Sequence, residues 1–399
     1  MSITHRFYFS QFLMTLSLIS GTAIAEKNAT PPLISERGAT AAAFVPKGWE
    51  QEVLLEADWN GEKRKDVAIV IQRKDERESI VRLLVLALRD QDGSLRRSAV
   101  SDEAVLNGDE GGVYGDPFLG IKAERGALVI EHYGGSNWRW SMVHRYRYQK
   151  GRWDLIGQTD VSSFTVDEQY LSTVDRNLST GFVERVFHPQ THYTMDGLDL
   201  QERLMLKQPE AHYWQVQAAF GKAAPTIDGK ISPNEWPAYT LKLSRKEQVT
   251  GNAAQWKGVT DCSAGLRATV TTDAVSLCAE VTDDDVTAKD GMHLLTLGGA
   301  EIPPAAVKRQ ATATGFIQEL RWERAALCKV LSDSSNLWLD PGSEVSGGDP
   351  PVGELPVVIS LIDDDAGQPS VILSTRPSTS GYAAGINFIP LGELILQNR

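Results

Sequence analysis

The sequence predicts an all-β protein built from two domains. Among its 399 residues are 34 glycines, 18 prolines and 10 tryptophans, a composition that favours strands joined by turns. No helical period persists over a long segment, whereas apolar residues recur at every second position in several places. The length exceeds that of a usual single hydrophobic core, so two domains are expected.

The most regular of these segments, residues 264–283, predicts a β-hairpin. A tight turn centred on residues 272–273 would place two runs with period two side by side. In that register the apolar residues of both runs share one face, as three opposed pairs: Val270 with Val275, Ala268 with Leu277, and Leu266 with Ala279. A hairpin with one apolar and one polar face is typical of an antiparallel sheet packed on a second sheet, which predicts a β-sandwich.

Four phrases of the second half follow one another in a recognisable order. PTIDGKISPNEW (225–236) precedes the hairpin, which ends in VTDD (281–284), and GFIQELRWERAAL (315–327) and VVISLIDDD (357–365) come after it. Together they resemble family 9 carbohydrate-binding modules over residues 222–399. The resemblance implies a β-sandwich that binds carbohydrate, and it leaves the ligand open.

A sugar site needs an aromatic plane bordered by carboxylate or amide groups. Of the four tryptophans in this half, residues 236, 256 and 322 belong to framework phrases or an extended segment, where packing is expected. Trp338 lies instead in a loop-like stretch, flanked by Asn336 and Asp340. We therefore predict Trp338, Asn336 and Asp340 as the carbohydrate-binding residues.

The first 25 residues have the pattern of a signal peptide, and the chain is expected in the periplasm or outside the cell. Arg6 precedes an apolar run that ends before Ala23–Ala25, and this run is too short for a spanning helix. The predicted order continues with a flexible N-terminus (26–40), a small antiparallel β domain (41–215), a linker (216–221) and the β-sandwich (222–399). A formal net charge of −12 disfavours nucleic acid as a partner, and the oligomeric state stays open.

An acidic turn in the first domain is a candidate calcium site. Asp58, Asn60, Glu62 and Asp66 stand at loop positions one, three, five and nine, just before a predicted strand. This spacing is similar to the calcium loops of FG-GAP repeats. The alternative is a polar turn in which these side chains bind their own backbone. Phrases at 111–118 and 132–140 of the same domain resemble a loop and strand of uncharacterised bacterial secreted proteins, which implies no activity.

A second feature of the first domain is an aromatic ladder in the predicted strand 138–148. Alternate positions carry Trp138, Trp140, Met142, His144, Tyr146 and Tyr148, with arginines on the opposite face. Such a ladder forms the core of a small β domain, or else it stacks sugars and other rings. The sequence leaves both interpretations open.

No known catalytic motif accompanies these features. The acidic runs Asp283–Asp285 and Asp363–Asp365 follow predicted strands, where carboxylates cap turns, bind Ca²⁺ or perform acid–base chemistry. With three cysteines, at 262, 278 and 328, at least one thiol stays unpaired within the chain.

The predicted function is non-catalytic binding of a glycan or polysaccharide by an exported protein. The alternatives are a structural or protein-interaction sandwich at the cell envelope, and an accessory to a glycoside hydrolase; an enzyme, if it is one, would hydrolyse O-glycosyl bonds.

Overall fold

The computed structural model describes residues 32–74, 79–165, 167–188, 210–221, 223–232, 235–237, 240–296, 298–335, 353–355, 357–365, 371–375, 386–388 and 395–396. Strands dominate these residues, and their only α-helix is α1 (Arg324–Ser335). Short 3-10 helices occur at Ala41–Phe44, Gly112–Tyr114 and Lys246–Gln248. The all-β prediction is confirmed. None of the helices in the described ranges is long and apolar enough to cross a membrane.

The chain divides into two compact units, and the first contains ten consecutive strands and the last of the described strands. These strands are β1 (Arg37–Gly38), β2 (Glu50–Ala57), β3 (Asp66–Lys74), β4 (Ile80–Arg89), β5 (Leu95–Ser101), β6 (Phe118–Glu124), β7 (Ala127–Gly135), β8 (Trp138–Gln149), β9 (Arg152–Phe164), β10 (Asp167–Asn177) and β25 (Ile395–Leu396). One antiparallel sheet has the order β1-β5-β4-β3-β2, and strands β6 to β10 pair consecutively in another.

Strand β25 pairs with β9 and so belongs to the first unit. The core of the first sheet consists of aliphatic residues on β3, β4 and β5 together with Phe44. Trp153 of β9 is buried, donates its indole N–H to Ser98 Oγ at 3.1 Å, and meets Trp59 edge to face at 5.6 Å. These contacts bring the two sheets of this unit together.

The second unit contains the other strands. They are β11 (Phe182–His188), β12 (Glu210–Trp214), β13 (Val216–Phe220), β14 (Leu241–Leu243), β15 (Val249–Gly251), β16 (Cys262–Val270), β17 (Ala274–Asp283), β18 (Gly291–Thr296), β19 (Ala306–Thr312), β20 (Gly315–Glu323), β21 (Gly353–Leu355), β22 (Val357–Asp363), β23 (Val371–Ser374) and β24 (Ile386–Phe388). A large sheet runs β19-β20-β17-β16-β13-β24-β21, with β14 also on β16, and a smaller sheet runs β15-β23-β22-β18.

The two sheets of the second unit enclose one apolar core, as the predicted sandwich requires. Leu266 and Leu277 of the large sheet and Leu294 and Ile359 of the small sheet belong to this core, and all are almost fully buried. The predicted hairpin register is confirmed, because β16 and β17 pair Val270 with Val275 and continue in step along their whole length. Its apolar face therefore packs inward.

The segment predicted as a linker, 216–221, includes strand β13. This strand lies between β16 and β24 and runs parallel to both. Val216 and Ala218 are buried in the sandwich core. Strand β13 thus completes the centre of the large sheet.

Candidate functional site

Strand pairing gathers the acidic residues of the second unit at one end of the sandwich. Asp283 ends β17 and is paired with Cys262, at the open end of the hairpin. In the small sheet, β18 begins at Gly291 opposite Ile362, so the preceding Asp290 comes beside Asp363, the last residue of β22. Asp363 therefore becomes a neighbour of Asp283 and Asp290, which lie far earlier in the sequence.

These three residues, Asp283, Asp290 and Asp363, form what we call the inner acidic group. Each offers a carboxylate oxygen within 4.8 Å of the other two. Their relative exposures are 6%, 4% and 2%, so all three are buried. A buried carboxylate is costly unless its charge is compensated, and the group places three together.

Hydrogen bonds satisfy part of this group. Asp290 is fully engaged, because it accepts the backbone N–H of Asp364 at 2.8 Å and both the hydroxyl and the backbone N–H of Thr287. Asp283 Oδ1 accepts the backbone N–H of Asp285 at 3.0 Å. Within the described part of the chain, the buried oxygens Asp283 Oδ2 and Asp363 Oδ1 have no donor. They are the oxygens that a cation would satisfy.

Burial and mutual repulsion change how these acids ionise. Burial, and then the neighbouring Asp283, raises the pKa of Asp363 to about 7. The pKa of Asp283 rises to about 6, mainly through burial, with Asp290 and Asp365 adding to it. A bound cation would reverse both effects, because it stabilises the ionised carboxylates.

A second triad, Asp261, Asp284 and Asp365, forms the outer acidic group, again with oxygens within 4.8 Å of one another. Here a lysine already supplies positive charge. Lys257 Nζ lies 3.3 Å from Asp261 Oδ1 and 3.7 Å from Asp365 Oδ2. Asp261 Oδ1 and Asp365 Oδ1 also lack a hydrogen-bond donor, but Lys257 pairs with both residues. In the inner group Arg309 Nη2 lies 3.9 Å from Asp290 Oδ2, whereas within the described ranges no cationic side chain forms an ion pair with Asp283 or Asp363. The inner group is therefore the better candidate for a metal ion.

The donor atoms of the inner group indicate the kind of metal. Carboxylate oxygens alone suit a hard cation such as Ca²⁺, which binds six to eight oxygens. Cys262, which is paired with Asp283, is a soft donor beside the group, and burial followed by the charges of Asp363 and Asp283 raises the pKa of its thiol. A thiol held protonated is a poor metal ligand. All three cysteines are buried.

The predicted calcium loop of the first unit is a turn whose side chains bind backbone. The carboxylate of Asp58 accepts the N–H groups of residues 61, 62 and 63 at 2.8–3.2 Å, and Asn60 Oδ1 accepts that of residue 62 at 3.0 Å. Asp66 is buried and accepts the N–H groups of Trp59 and Arg89 at 3.1 and 2.8 Å. These are the contacts of a polar turn.

The fourth residue of that loop, Glu62, is paired with the side chain of Arg64. Its carboxylate is therefore engaged by a guanidinium. Calcium binding at Asp58, Asn60, Glu62 and Asp66 stays a prediction, and the backbone contacts account for most of their oxygens without an ion.

The three framework tryptophans pack as predicted. Trp236 and Trp322 are buried, and their indoles donate to Glu319 Oε1 and to the carbonyl of Ile302, each at 3.0 Å. Trp256 is half-buried and donates to the carbonyl of Cys262 at 2.9 Å. The predicted sugar-binding residues Trp338, Asn336 and Asp340 lie outside the described residues.

Comparison with known proteins gives one kind of similarity. No protein family and no curated protein matches the sequence. Among solved structures, the chain is similar to a family 9 carbohydrate-binding module from Caldicellulosiruptor kristjanssonii in complex with cellotriose, at 11% identity and a TM-score of 0.27, covering 44% of this chain and 94% of that one.

A structure of a family 9 module from the same organism in complex with glucose is similar at 12% identity and a TM-score of 0.26, covering 44% of this chain and 96% of that one. Both neighbours are carbohydrate-binding modules.

Proposed function

We propose that this chain is an exported, non-catalytic glycan-binding protein whose second unit holds Ca²⁺ at the inner acidic group. The observation that carries the glycan-binding proposal is the way two of the framework phrases meet. Glu319, from the phrase at 315–327, accepts the backbone N–H groups of Asp228 and Gly229 at 2.8 and 2.6 Å, and the indole N–H of Trp236 at 3.0 Å. All three donors come from the phrase at 225–236, so two of the phrases that carry the resemblance are in direct contact in the fold.

The calcium proposal has its own support in the inner acidic group. Two buried carboxylate oxygens without donors, on Asp283 and Asp363, lie beside the engaged carboxylate of Asp290. A cation bound there joins β17 of the large sheet to β18 and β22 of the small one. Because such an ion binds only the folded state, it stabilises the sandwich by mass action.

Burial also favours binding over catalysis. Asp283 and Asp363 have the raised pKa values of catalytic acids, but their exposures of 6% and 2% leave no access for a sugar ring. An accessory role beside a glycoside hydrolase remains compatible with the proposal. The alternative, a structural or protein-interaction module, predicts no glycan retention.

A glycan array probed with the mature full chain tests the proposal. We expect retention of at least one neutral glycan, with cello-oligosaccharides among the probes, and loss of that retention in Trp338→Ala without a change in melting temperature. Trp236→Phe is the control, since it lowers stability through its lost bond to Glu319. Absence of retention would favour the protein-interaction alternative, and release of reducing ends would identify a hydrolase.

Two further measurements test the remaining parts. Adding Ca²⁺ to chelated protein should raise the melting temperature of the second unit, and a flat response up to millimolar Ca²⁺ would refute the metal site. Export predicts that the protein purified from its host begins at Glu26.

A further inference from the structure

The aromatic ladder of β8 changes character along its length. Met142, His144 and Tyr146 are buried in the first unit, whereas Trp138 and Trp140 at the start of the strand are only half-buried. The ladder is therefore core at its centre, and its outer end faces solvent in part. A partly exposed indole on the face of a sheet offers a surface on which a ring can stack.

A glycine on the neighbouring strand fixes the position of Trp140. Gly134 of β7 is paired with Trp140, and a β-carbon at Gly134 would lie 2.4 Å from Trp140 Cζ2 and 2.9 Å from Cε2. The six-membered ring thus occupies the space directly above the Gly134 backbone. A side chain larger than that of glycine at position 134 would collide with the ring, so Gly134 allows the indole to lie on the backbone.

Polar residues border the ring on its other side. On β9, Ser162 is paired with Trp140, and Asp160, two residues earlier on the same face, is paired with Met142. The carboxylate of Asp160 is 29% exposed and accepts the amide of Gln158 at 3.1 Å. An aromatic plane is thus followed by a hydroxyl, a carboxylate and an amide within one sheet face.

The charge of this face is balanced. Arg176 of β10 is paired in register with Gln158 and forms an ion pair with Asp160. Two histidines also lie on this face, His144 and His132, the latter paired with Met142. Both are buried, and burial lowers the pKa of each, so both imidazoles are neutral at physiological pH. A face whose one carboxylate is matched by one guanidinium favours a neutral ligand.

We propose that this face, the Trp140 platform, formed by Trp140, Gln158, Asp160 and Ser162, binds a pyranose ring of a neutral saccharide. The C–H face of the sugar stacks on the indole, and its hydroxyls bond to the polar groups of β9. Arg176 holds the partly exposed Asp160 side chain in place while its carboxylate accepts a sugar hydroxyl. The site lies within the first unit and is independent of the carbohydrate site proposed for the second.

The test compares variants of the mature full chain on an array of neutral and acidic glycans. We expect Trp140→Ala to weaken retention of at least one neutral glycan about tenfold or more, which corresponds to one aromatic contact. Gly134→Ala should weaken retention of the same glycan, because the new methyl group displaces the indole without removing it; since that methyl also lies 2.9 Å from the carbonyl oxygen of Gly111, the melting temperature of this variant is measured alongside. Asp160→Asn, which keeps the side-chain shape, should weaken it as well.

Tyr114→Ala is the matched control. Tyr114 is 49% exposed but packs on Tyr133 and under Arg139, both of which point to the opposite face of the sheet. Its loss should leave retention unchanged. The proposal is overturned if no neutral glycan depends on Trp140 and Asp160, or if the dependent glycans are all acidic.

Trp338→Ala separates this proposal from the proposed function. A glycan lost in Trp338→Ala but retained by Trp140→Ala supports the site in the second unit alone, and the converse supports the Trp140 platform alone. Should Trp140→Ala fail to fold, as judged by its melting temperature, glycan retention by Asp160→Asn decides whether the Trp140 platform binds the saccharide.

Discussion

The carboxylate of Glu319 on β20 accepts the indole N–H of Trp236 at 3.0 Å, across 83 residues of sequence. The same carboxylate accepts two backbone N–H groups of the turn that precedes Trp236, and Glu319 itself has no exposed surface. Three donors converge on one buried side chain, so the attachment of the segment 225–236 to β20 depends on the negative charge and the two oxygens of Glu319.

Glu319→Gln should therefore destabilise the second unit strongly for an isosteric change. The amide replaces one acceptor oxygen with a donor that faces N–H groups, which leaves buried donors unsatisfied at a cost of about 1–3 kcal/mol. Denaturant unfolding measures this cost.

Glu280→Gln on the neighbouring strand is the control for that experiment. Glu280 is 54% exposed and pairs with Arg267 at 3.2 Å, and an exposed ion pair contributes about 0–1 kcal/mol. Equal effects of the two substitutions would mean that Glu319 does not hold the segment at 225–236.

Removing one carboxylate from the inner acidic group should separate the repulsion between these buried carboxylates from their contribution to metal binding. Asp363→Asn relieves the repulsion with Asp283, so without metal the variant should be more stable than the wild type at neutral pH, by about 1–3 kcal/mol. With Ca²⁺ the order should reverse, because the variant has lost a ligand. Thermal melts in chelator and in millimolar Ca²⁺ measure both.

Asp273→Asn serves as the control, since Asp273 lies in the turn at the opposite end of the β16–β17 hairpin from Asp283. Its melting temperature should respond to Ca²⁺ as the wild type does. An Asp363→Asn variant that keeps the full response to Ca²⁺ would show that the ion binds elsewhere.

The hairpin and the acidic group mark what the sequence does and does not reveal. Period two and a turn determine the pairing of β16 with β17, since the information is local. The inner acidic group depends on Asp290, a single aspartate outside the two acidic runs, which meets Asp363 only because β18 pairs with β22. Similarly, nothing local indicates that β13 enters the large sheet as a parallel strand.

One substitution in the turn at residues 58–66 tests whether its side-chain oxygens accept backbone N–H groups or bind Ca²⁺. Asp58 accepts three exposed backbone N–H groups, so Asp58→Ala should destabilise the first unit by about 0.5–1.5 kcal/mol, because water replaces the lost acceptor only in part. We expect the same loss in chelator and in Ca²⁺. A loss that appears only with Ca²⁺ would instead support the predicted calcium loop.

The first unit should lose stability in mild acid because of His132. Its ring is buried, Nε2 accepts the backbone N–H of Leu106 at 3.1 Å, and Nδ1 has no partner within the described ranges. Burial, and then the nearby His144 and Arg82, lower the pKa of His132 to about 3 from an ordinary value of 6.5. The folded state therefore keeps this imidazole neutral.

As the pH falls below 6.5, His132 takes up a proton in the unfolded chain but stays neutral in the folded chain. Unfolding is then favoured, and this histidine alone lowers the free energy of unfolding of the first unit by up to about 1.4 kcal/mol per pH unit, until the folded pKa near 3 is reached. His144, whose pKa is also lowered by burial, adds to the same slope. Between about pH 6.5 and 4.5 ordinary carboxylates contribute little, so the histidines dominate this window.

Hydrogen exchange of β7 and β8 across that range measures the effect in the first unit alone, apart from the acids of the second unit, whose raised pKa values act with the opposite sign. His132→Gln preserves an acceptor for Leu106 and removes the titrating group. The slope of the free energy of unfolding against pH should therefore fall by the contribution of one proton, about 1.4 kcal/mol per pH unit. His293→Gln, in an exposed pair with Glu301, should leave the slope unchanged. A wild-type slope that survives His132→Gln intact would assign the acid sensitivity to other groups.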